Sequence, residues 1–249
     1  MDLGLTGRVA IVTGGSRGIG KAIAHQLASE GVDVAICARQ RTALDEAAKD
    51  LEKQTGRRIL PIVADTTNSE SVAHLVDATL KALGRIDVLV NNASTPGGMV
   101  RGPLAEADEK TLLEDIDTKV VGYMRCAKAV APHMQKSRWG RIINIGGLSG
   151  RRSGNISGLR NAAIVHLTKT LADELGTHGI TVNLVHPGQT RTERTDAETE
   201  RRAASNAIRR IVDAQEIGHV VTFLASTKAA NVTGVAIDAS GGSIPVMFQ

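Results

Sequence analysis

Strand and helix signals alternate along the 249-residue chain, and this predicts an α/β fold: one doubly wound, seven-stranded parallel sheet with helices on both faces. Three observations carry that reading. An apolar run, Val9-Ala10-Ile11-Val12, leads straight into the glycine-rich stretch Thr13-Gly14-Gly15-Ser16-Arg17-Gly18-Ile19-Gly20, and Ala22, Ile23, Ala24 and Leu27 then continue at helical spacing. Hydrophobic residues make up 42% of the chain but aromatics only 2%, so Val, Ile, Leu and Ala must fill the core, as in a sheet buried on both faces. No linker composition, repeat or low-complexity segment divides residues 1–249, which argues for a single domain.

The elements follow in order. Asp33 to Ala38 reads as the second strand and Gln40 to Thr55 as an amphipathic helix. Arg58 to Asp65 gives the third strand. Thr67, with Glu70 behind it as a capping box, opens a helix that runs to about Leu83. Ile86 to Val90 is the fourth strand, ending in Asn91-Asn92-Ala93-Ser94, and Thr95 to Pro103 follows as a Gly/Pro-rich loop. A long helix over about Glu109 to Lys136 precedes the fifth strand, Arg141 to Ile145. Ile164, Leu167, Leu171 and Leu175 mark one face of a helix over about Ser157 to His178. Thr181 to Val185 and Val235 to Asp238 complete the sheet. The charged region 190–213 breaks this rhythm. As a long excursion from a strand's carboxyl end, it is expected either to cover the ligand crevice as a lid or to be a solvated surface helix.

The glycine stretch defines the expected ligand. Glycines let the backbone turn tightly and approach a pyrophosphate, and the helix N-terminus behind them offers free N–H groups and a favourable dipole. The remaining composition excludes other classes. A net charge of +4 spread along the chain does not make a nucleic-acid surface. Cys37 and Cys126 lie in apolar segments outside any Cys-x-x-Cys pair and read as buried packing residues in a reduced compartment. His25, His74, His166 and His178 show no ligand spacing, so no metal site is expected. No run is long enough to span a bilayer and no signal-peptide pattern opens the sequence, so a cytoplasmic protein is expected.

These motifs together resemble the short-chain dehydrogenases/reductases over essentially the whole chain. The match consists of Thr13-Gly14-x-x-x-Gly18-x-Gly20, Asp65, Asn91-Asn92-Ala93, Pro187-Gly188 with Thr190 and Thr192, and Gly241-Gly242, each at a strand's carboxyl end. The resemblance implies a Rossmann-type domain with a nicotinamide dinucleotide in its crevice. The loop Gly14, Ser16, Arg17, Gly18, Ile19 and Gly20 would lie under the pyrophosphate and Asp65 beside the adenine. Asn91 and Ala93 would serve the ribose and strand packing, and Pro187, Gly188 and Thr190 would surround the nicotinamide. Ser94 stands where the family usually has glycine. The end of strand two reads Ile36-Cys37-Ala38-Arg39-Gln40-Arg41, without the carboxylate that a ribose 2′-hydroxyl wants. Arg17 and Arg39 are suited instead to a 2′-phosphate, so NADP(H) is expected over NAD(H).

The chemical end departs from the resemblance. Family members pair a tyrosine and a lysine as Tyr-x-x-x-Lys on the helix after strand five, with a serine just after that strand and an asparagine on the preceding helix. Tyr123 is the only tyrosine here, and it precedes strand five. Alignment places Ser157 at the tyrosine, Asn161 at the lysine, Gly147 at the serine and Lys119 at the asparagine, with Ser149 and Ser153 as alternatives for the serine role. Two functions from different classes follow: an oxidoreductase using Ser157 backed by Lys119, or water held by Lys119 and Asn161, and a non-catalytic cofactor- or partner-binding protein. Dehydratase or epimerase chemistry is a weaker third. Arg151, Arg152 and Arg160 point either to an anionic carbonyl or alcohol substrate or to a solvated loop or subunit contact. Glu114, Asp115 and Asp117 are expected to form a solvated face, His186 to fill a strand end, and Tyr123 to pack in the core or an interface. The resemblance further implies a homodimer or homotetramer joined through the helices around 109–136 and 157–178.

Overall fold

The computed structural model describes residues 1–100, 102–152 and 154–244. The chain starts its sheet with β1 (Val9–Thr13) and crosses through α1 (Gly18–Ser29) to β2 (Asp33–Ala38). Then come α2 (Arg41–Thr55), β3 (Ile59–Val63), α3 (Ser69–Leu83) and β4 (Val88–Asn91). Beyond β4 lie α4 (Glu109–Ile116), one π-helical segment (Asp117–Val121), α5 (Gly122–Ser137) and β5 (Gly140–Ile145). After α6 (Gly158–Leu175) and β6 (Ile180–Pro187), an excursion carries β7 (Thr190–Arg191), α7 (Ala197–Ala203) and β8 (Val212–Asp213). Finally α8 (Ala214–Ala225) returns the chain to β9 (Ala236–Ala239).

Seven strands pair in parallel in the order β3-β2-β1-β4-β5-β6-β9. On one face, Ile23 and Leu27 of α1, Leu44 of α2, and Ile217 and Val221 of α8 close over the sheet. On the other, Val72 and Leu75 of α3, Val130 and Met134 of α5, and Leu175 of α6 do the same. With both faces covered, every residue of β1, β4 and β5 is buried. This double cover is why those strands read as continuous apolar runs. The strand order reverses between β1 and β4, so their carboxyl ends diverge and open a crevice. Thr13 stitches its floor, its Oγ1 accepting from the backbone N–H groups of Asn92 at 2.9 Å and Ala93 at 3.0 Å.

Four local expectations are corrected. The cap of α3 is Asn68, whose side chain accepts from the Ser71 N–H, while Thr67 is held by Asp65 through both its N–H and its hydroxyl. The long helix before β5 is broken by the π-helical segment Asp117–Val121. Asp115, expected on a solvated face, is fully buried. The helix α8, absent from the sequence reading, shares the core with α1. The excursion after β6 is tied together by a short parallel pairing of β7 with β8 and by Arg191, which bridges Glu200 and Asp213. Cys37 and Cys126 are free and buried, and burial pushes the Cys37 thiol up to about 12. Among the described residues, no helix is long and apolar enough to cross a membrane, and no group of His, Cys, Asp and Glu side chains is placed to hold a metal.

Candidate functional site

A cleft of about 980 Å³ runs along the carboxyl ends of the strands, at the upper end of the usual size for a cofactor site. At its β1–α1 end the wall is backbone. Gly14 takes a φ of +67°, and a Cβ on Gly20 would lie 2.2 Å from the Gly14 carbonyl oxygen, so the turn requires glycine at both places. Gly14, Ser16, Arg17, Gly18 and Ile19 line the cleft, whereas Gly20 is buried below them. The N-cap residue Arg17 makes no side-chain capping bond, so among the described residues the first amides of α1 are largely left without a side-chain acceptor. The exception is the Gly18 N–H, which donates to Glu193 Oε2 of the excursion at 3.2 Å. Arg17 and Arg39 are exposed, line the cleft and form no ion pair among the described residues. Asp65 and Ala93 also line it.

Asn91 does not reach the cleft wall. It is fully buried, and its amide donates to Asn144 Oδ1 at 2.9 Å and to the Tyr123 carbonyl at 3.3 Å. Its part is the strand-packing one. Pro187, Gly188 and Thr190 line the far end, with the Thr190 hydroxyl bonded to the Gly188 carbonyl.

That far end is lined by buried and half-buried polar side chains. Lys119, in the π-helical segment, donates from Nζ to Asn161 Oδ1 at 2.8 Å and to the Gly146 carbonyl at 3.0 Å. Asn161 in turn donates from Nδ2 to Ser149 Oγ at 2.8 Å. Lys119, Asn161 and Ser149 all line the cleft. Burial, helped by the Arg160 charge and opposed by Asp115, lowers the Lys119 ammonium to about 7. Tyr123 lies beneath, its hydroxyl donating to the Ile145 carbonyl and its ring centre 5.9 Å from Lys119 Nζ. His186 is buried as expected, yet its Nδ1 accepts from the Gly147 N–H at 3.0 Å, and burial lowers the ring to about 4.

Ser157 has a different employment. Its Oγ accepts from the Val100 N–H at 2.9 Å and donates to the Val100 carbonyl at 3.2 Å. Gly98, at a φ of +90°, lets the loop come this close, since a Cβ there would lie 2.5 Å from Ser157 Oγ. The same loop is held by Asp115, which accepts from the Met99 N–H, and by Arg160, which donates to the Thr95 carbonyl. Asp115 and Arg160 form a buried ion pair at 2.6 Å. Sequence reasoning missed this pair and Ser149's bond to Asn161. The available signal was spacing: Asp115 precedes Lys119 by one helical turn, and Arg160 is adjacent to Asn161.

The arginines proposed to meet an anionic substrate are mostly occupied. Arg160 is paired with Asp115, and Arg151 with Asp238 at 2.8 Å. Two of the three therefore already hold carboxylates. Ser153, an alternative for the serine role, lies outside the described residues.

Comparison with known proteins gives one consistent result. Residues 8–203 match the short chain dehydrogenase family. The chain is 38% identical over 250 residues to a 3-oxoacyl-(acyl-carrier-protein) reductase FabG of Vibrio cholerae, covering 96% of this chain and 98% of that one. It is 36% identical over 249 residues to a peroxisomal 2,4-dienoyl-CoA reductase of Danio rerio, covering 96% and 82%. Among solved structures, L-sorbose reductase of Gluconobacter frateurii, complexed with NADPH and L-sorbose, superposes with a TM-score of 0.91 at 28% identity, covering 99% and 100%. The glycine cradle, the unclaimed amides of α1 and the cleft volume fit a nicotinamide dinucleotide.

Proposed function

The chain belongs to the short-chain dehydrogenase family, a family of nicotinamide-dependent oxidoreductases, and from that premise we propose that it is an NADP(H)-dependent enzyme interconverting a small carbonyl compound and its alcohol through an altered active site. One observation carries the reading: a single cleft joins the glycine turn and Arg17 and Arg39, which form no ion pair among the described residues, to a polar cluster of Lys119, Asn161 and Ser149. When bound, the nicotinamide supplies a hydride-transferring carbon. Arg17 and Arg39 would take the 2′-phosphate, and the amides behind Gly18 the pyrophosphate. Pro187, Gly188 and Thr190 would border the nicotinamide.

Asn161 holds the position of the family's lysine and Lys119 that of its asparagine. The two residue types have exchanged helices, and an ammonium is thereby kept in the cleft. Asn161 retains one amide hydrogen beyond its bond to Ser149, enough to meet a ribose hydroxyl. Exposed Leu113, Met124 and Leu159 on α4, α5 and α6 support a homo-oligomer formed through those helices. The decisive experiment titrates NADPH and NADH by quenching of protein fluorescence, then follows nicotinamide absorbance with a panel of small ketones, aldehydes and 3-oxoacyl thioesters. Tight NADPH binding with carbonyl-dependent oxidation is expected. Binding without turnover of any carbonyl would leave a cofactor-binding protein alone, and binding of neither nucleotide would remove the reading.

A further inference from the structure

We propose that Lys119 is the acid–base catalyst of this cleft, and that the Ser157 position has become a loop anchor. The inference rests on the oxidoreductase reading and deepens it by naming the proton donor.

The geometry is mutually exclusive at two positions. Ser157 spends its donor and an acceptor lone pair on the backbone of Val100 and is buried, with Gly98 against its hydroxyl. Ser157 lines the same cleft, but an aliphatic hydroxyl whose proton is spent on the Val100 carbonyl is a poor proton donor to a substrate. Lys119 is held as a proton donor should be. Its two acceptors, the Gly146 carbonyl and Asn161 Oδ1, fix Nζ at the cleft wall, and an ammonium has three N–H groups. Among the described residues no acceptor takes the third, which is left for a substrate oxygen. Placement in a π-helical segment suits this role, because such turns re-aim side chains inside otherwise regular helices.

Charged and titratable neighbours surround Nζ from each element packed on it. From α4 comes Asp115, which favours the charged form, and from α6 Arg160, which opposes it. His186 of β6 faces it in neutral form, Tyr123 of α5 lies under it, and Asp117 on its own segment is turned to Arg125. Burial is the largest influence and brings the amine to about 7. A group poised there is charged enough to donate and neutral enough to accept at the same pH. In the reducing direction the carbonyl carbon would receive the hydride that a bound reduced nicotinamide gives up, the carbonyl π pair moves to oxygen, an N–H bond of Lys119 breaks and an O–H bond forms. The neutral amine then regains its proton from water. Oxidation runs the same steps backward.

The test reads the lysine itself, without cofactor. Protein labelled with carbon-13 at the lysine side chains is titrated by NMR, and the Lys119 signal is assigned as the one missing from K119R. One lysine titrating near pH 7 is expected, against ordinary values of about 10.4 for the exposed ones. Carbonyl reduction should fall above the same midpoint as the amine loses its proton. K119R and K119M should lose roughly 10²–10⁴-fold in kcat, while NADPH affinity stays within about 3-fold. A Lys119 that stays charged beyond about pH 9, or variants that reduce carbonyls as fast as the parent, would overturn the assignment. A parent that binds NADPH but reduces nothing would remove the oxidoreductase reading and the donor role together. The NMR midpoint would then describe only a buried amine.

Discussion

At the β1–α1 end the crevice presents backbone amides and exposed guanidinium groups, whereas at the α5–α6 end its polar groups are buried or half-buried side chains already bonded to one another. Arg17 and Arg39 reach into water without an ion-pair partner among the described residues, while Arg160 is 5% exposed and Asp115 0% at their side chains. The first kind of surface is ready for a ligand that brings its own negative charge. The second is a fixed network, in which removing one member strands another in a low-dielectric interior. Substitutions at the two ends should therefore fail in different ways, binding at one and stability or chemistry at the other.

The sharpest break of that contrast is Asp115→Asn. It leaves the Arg160 guanidinium buried opposite a neutral amide and weakens the tie to the Met99 N–H. A loss of about 3–5 kcal/mol in chemical denaturation is expected, as for other buried pairs deprived of one partner. Ser157→Ala removes only the two bonds to Val100 and should cost about 1–3 kcal/mol. Equal and small effects of both would mean that the loop Thr95–Val100 is not held by this cluster.

At the other end, Arg39→Ala and Arg17→Ala should leave the denaturation midpoint almost unchanged and weaken NADPH binding by roughly 10-fold or more each. That scale follows from losing a charge-assisted hydrogen bond of about 1.5–3 kcal/mol. NADH, lacking the 2′-phosphate, should be affected far less. Parallel losses for both nucleotides would place the arginines on the pyrophosphate and remove the basis for NADP(H) preference.

What was legible in the sequence divides along the same line. The β1–α1 end is built from consecutive residues, so strand, glycine turn and helix are written within Val9 to Leu27 and the fold with them. Arg17 and Arg39, the groups proposed to set its nucleotide preference, sit at fixed offsets from that turn. The α5–α6 end is assembled from residues 95–100, 115–119, 146–149 and 157–161, and no single window contains it. Each substitution could be seen alone, but pairing Lys119 with Asn161, or Asp115 with Arg160, needs the two helices side by side. Asp115 illustrates the limit. Among Glu114, Asp117 and Lys110 it looks like one more solvated charge, and only the buried guanidinium opposite explains it. Helix α8 is different: Ile217, Val221 and Leu224 lie at helical spacing within one short window, directly behind a charged excursion, and their burial against α1 is what marks them as core.

The contrast also has a pH signature with a determinate sign. Lys119 is lowered by burial from the ordinary lysine value of about 10.4 in the unfolded chain to about 7. Below pH 7 both states are charged and the burial penalty is fully present. Between pH 7 and about 10.4 the unfolded chain binds the extra proton, so this residue makes the folded protein more stable as pH rises. Thermal melts of the parent and of K119M across that window should show the parent gaining on the variant. A constant difference would mean that Lys119 ionises alike in both states.

The smallest expected effect sits where the two ends meet the excursion. Glu193 accepts the Gly18 N–H at 3.2 Å, so a carboxylate lies on the amide where a pyrophosphate oxygen is expected. Cofactor binding must displace it and also overcome its charge. The side chain is half exposed, which keeps the interaction weak and salt-sensitive. Glu193→Gln removes the charge but keeps an acceptor, and should tighten NADPH binding by about 2–5-fold at low ionic strength, the scale of a charge at a helix N-terminus. The gain should shrink toward nothing in molar salt. Weaker binding in the variant would mean that Glu193 is part of the cofactor site, and that the excursion closes over the dinucleotide through this carboxylate instead of being displaced by it.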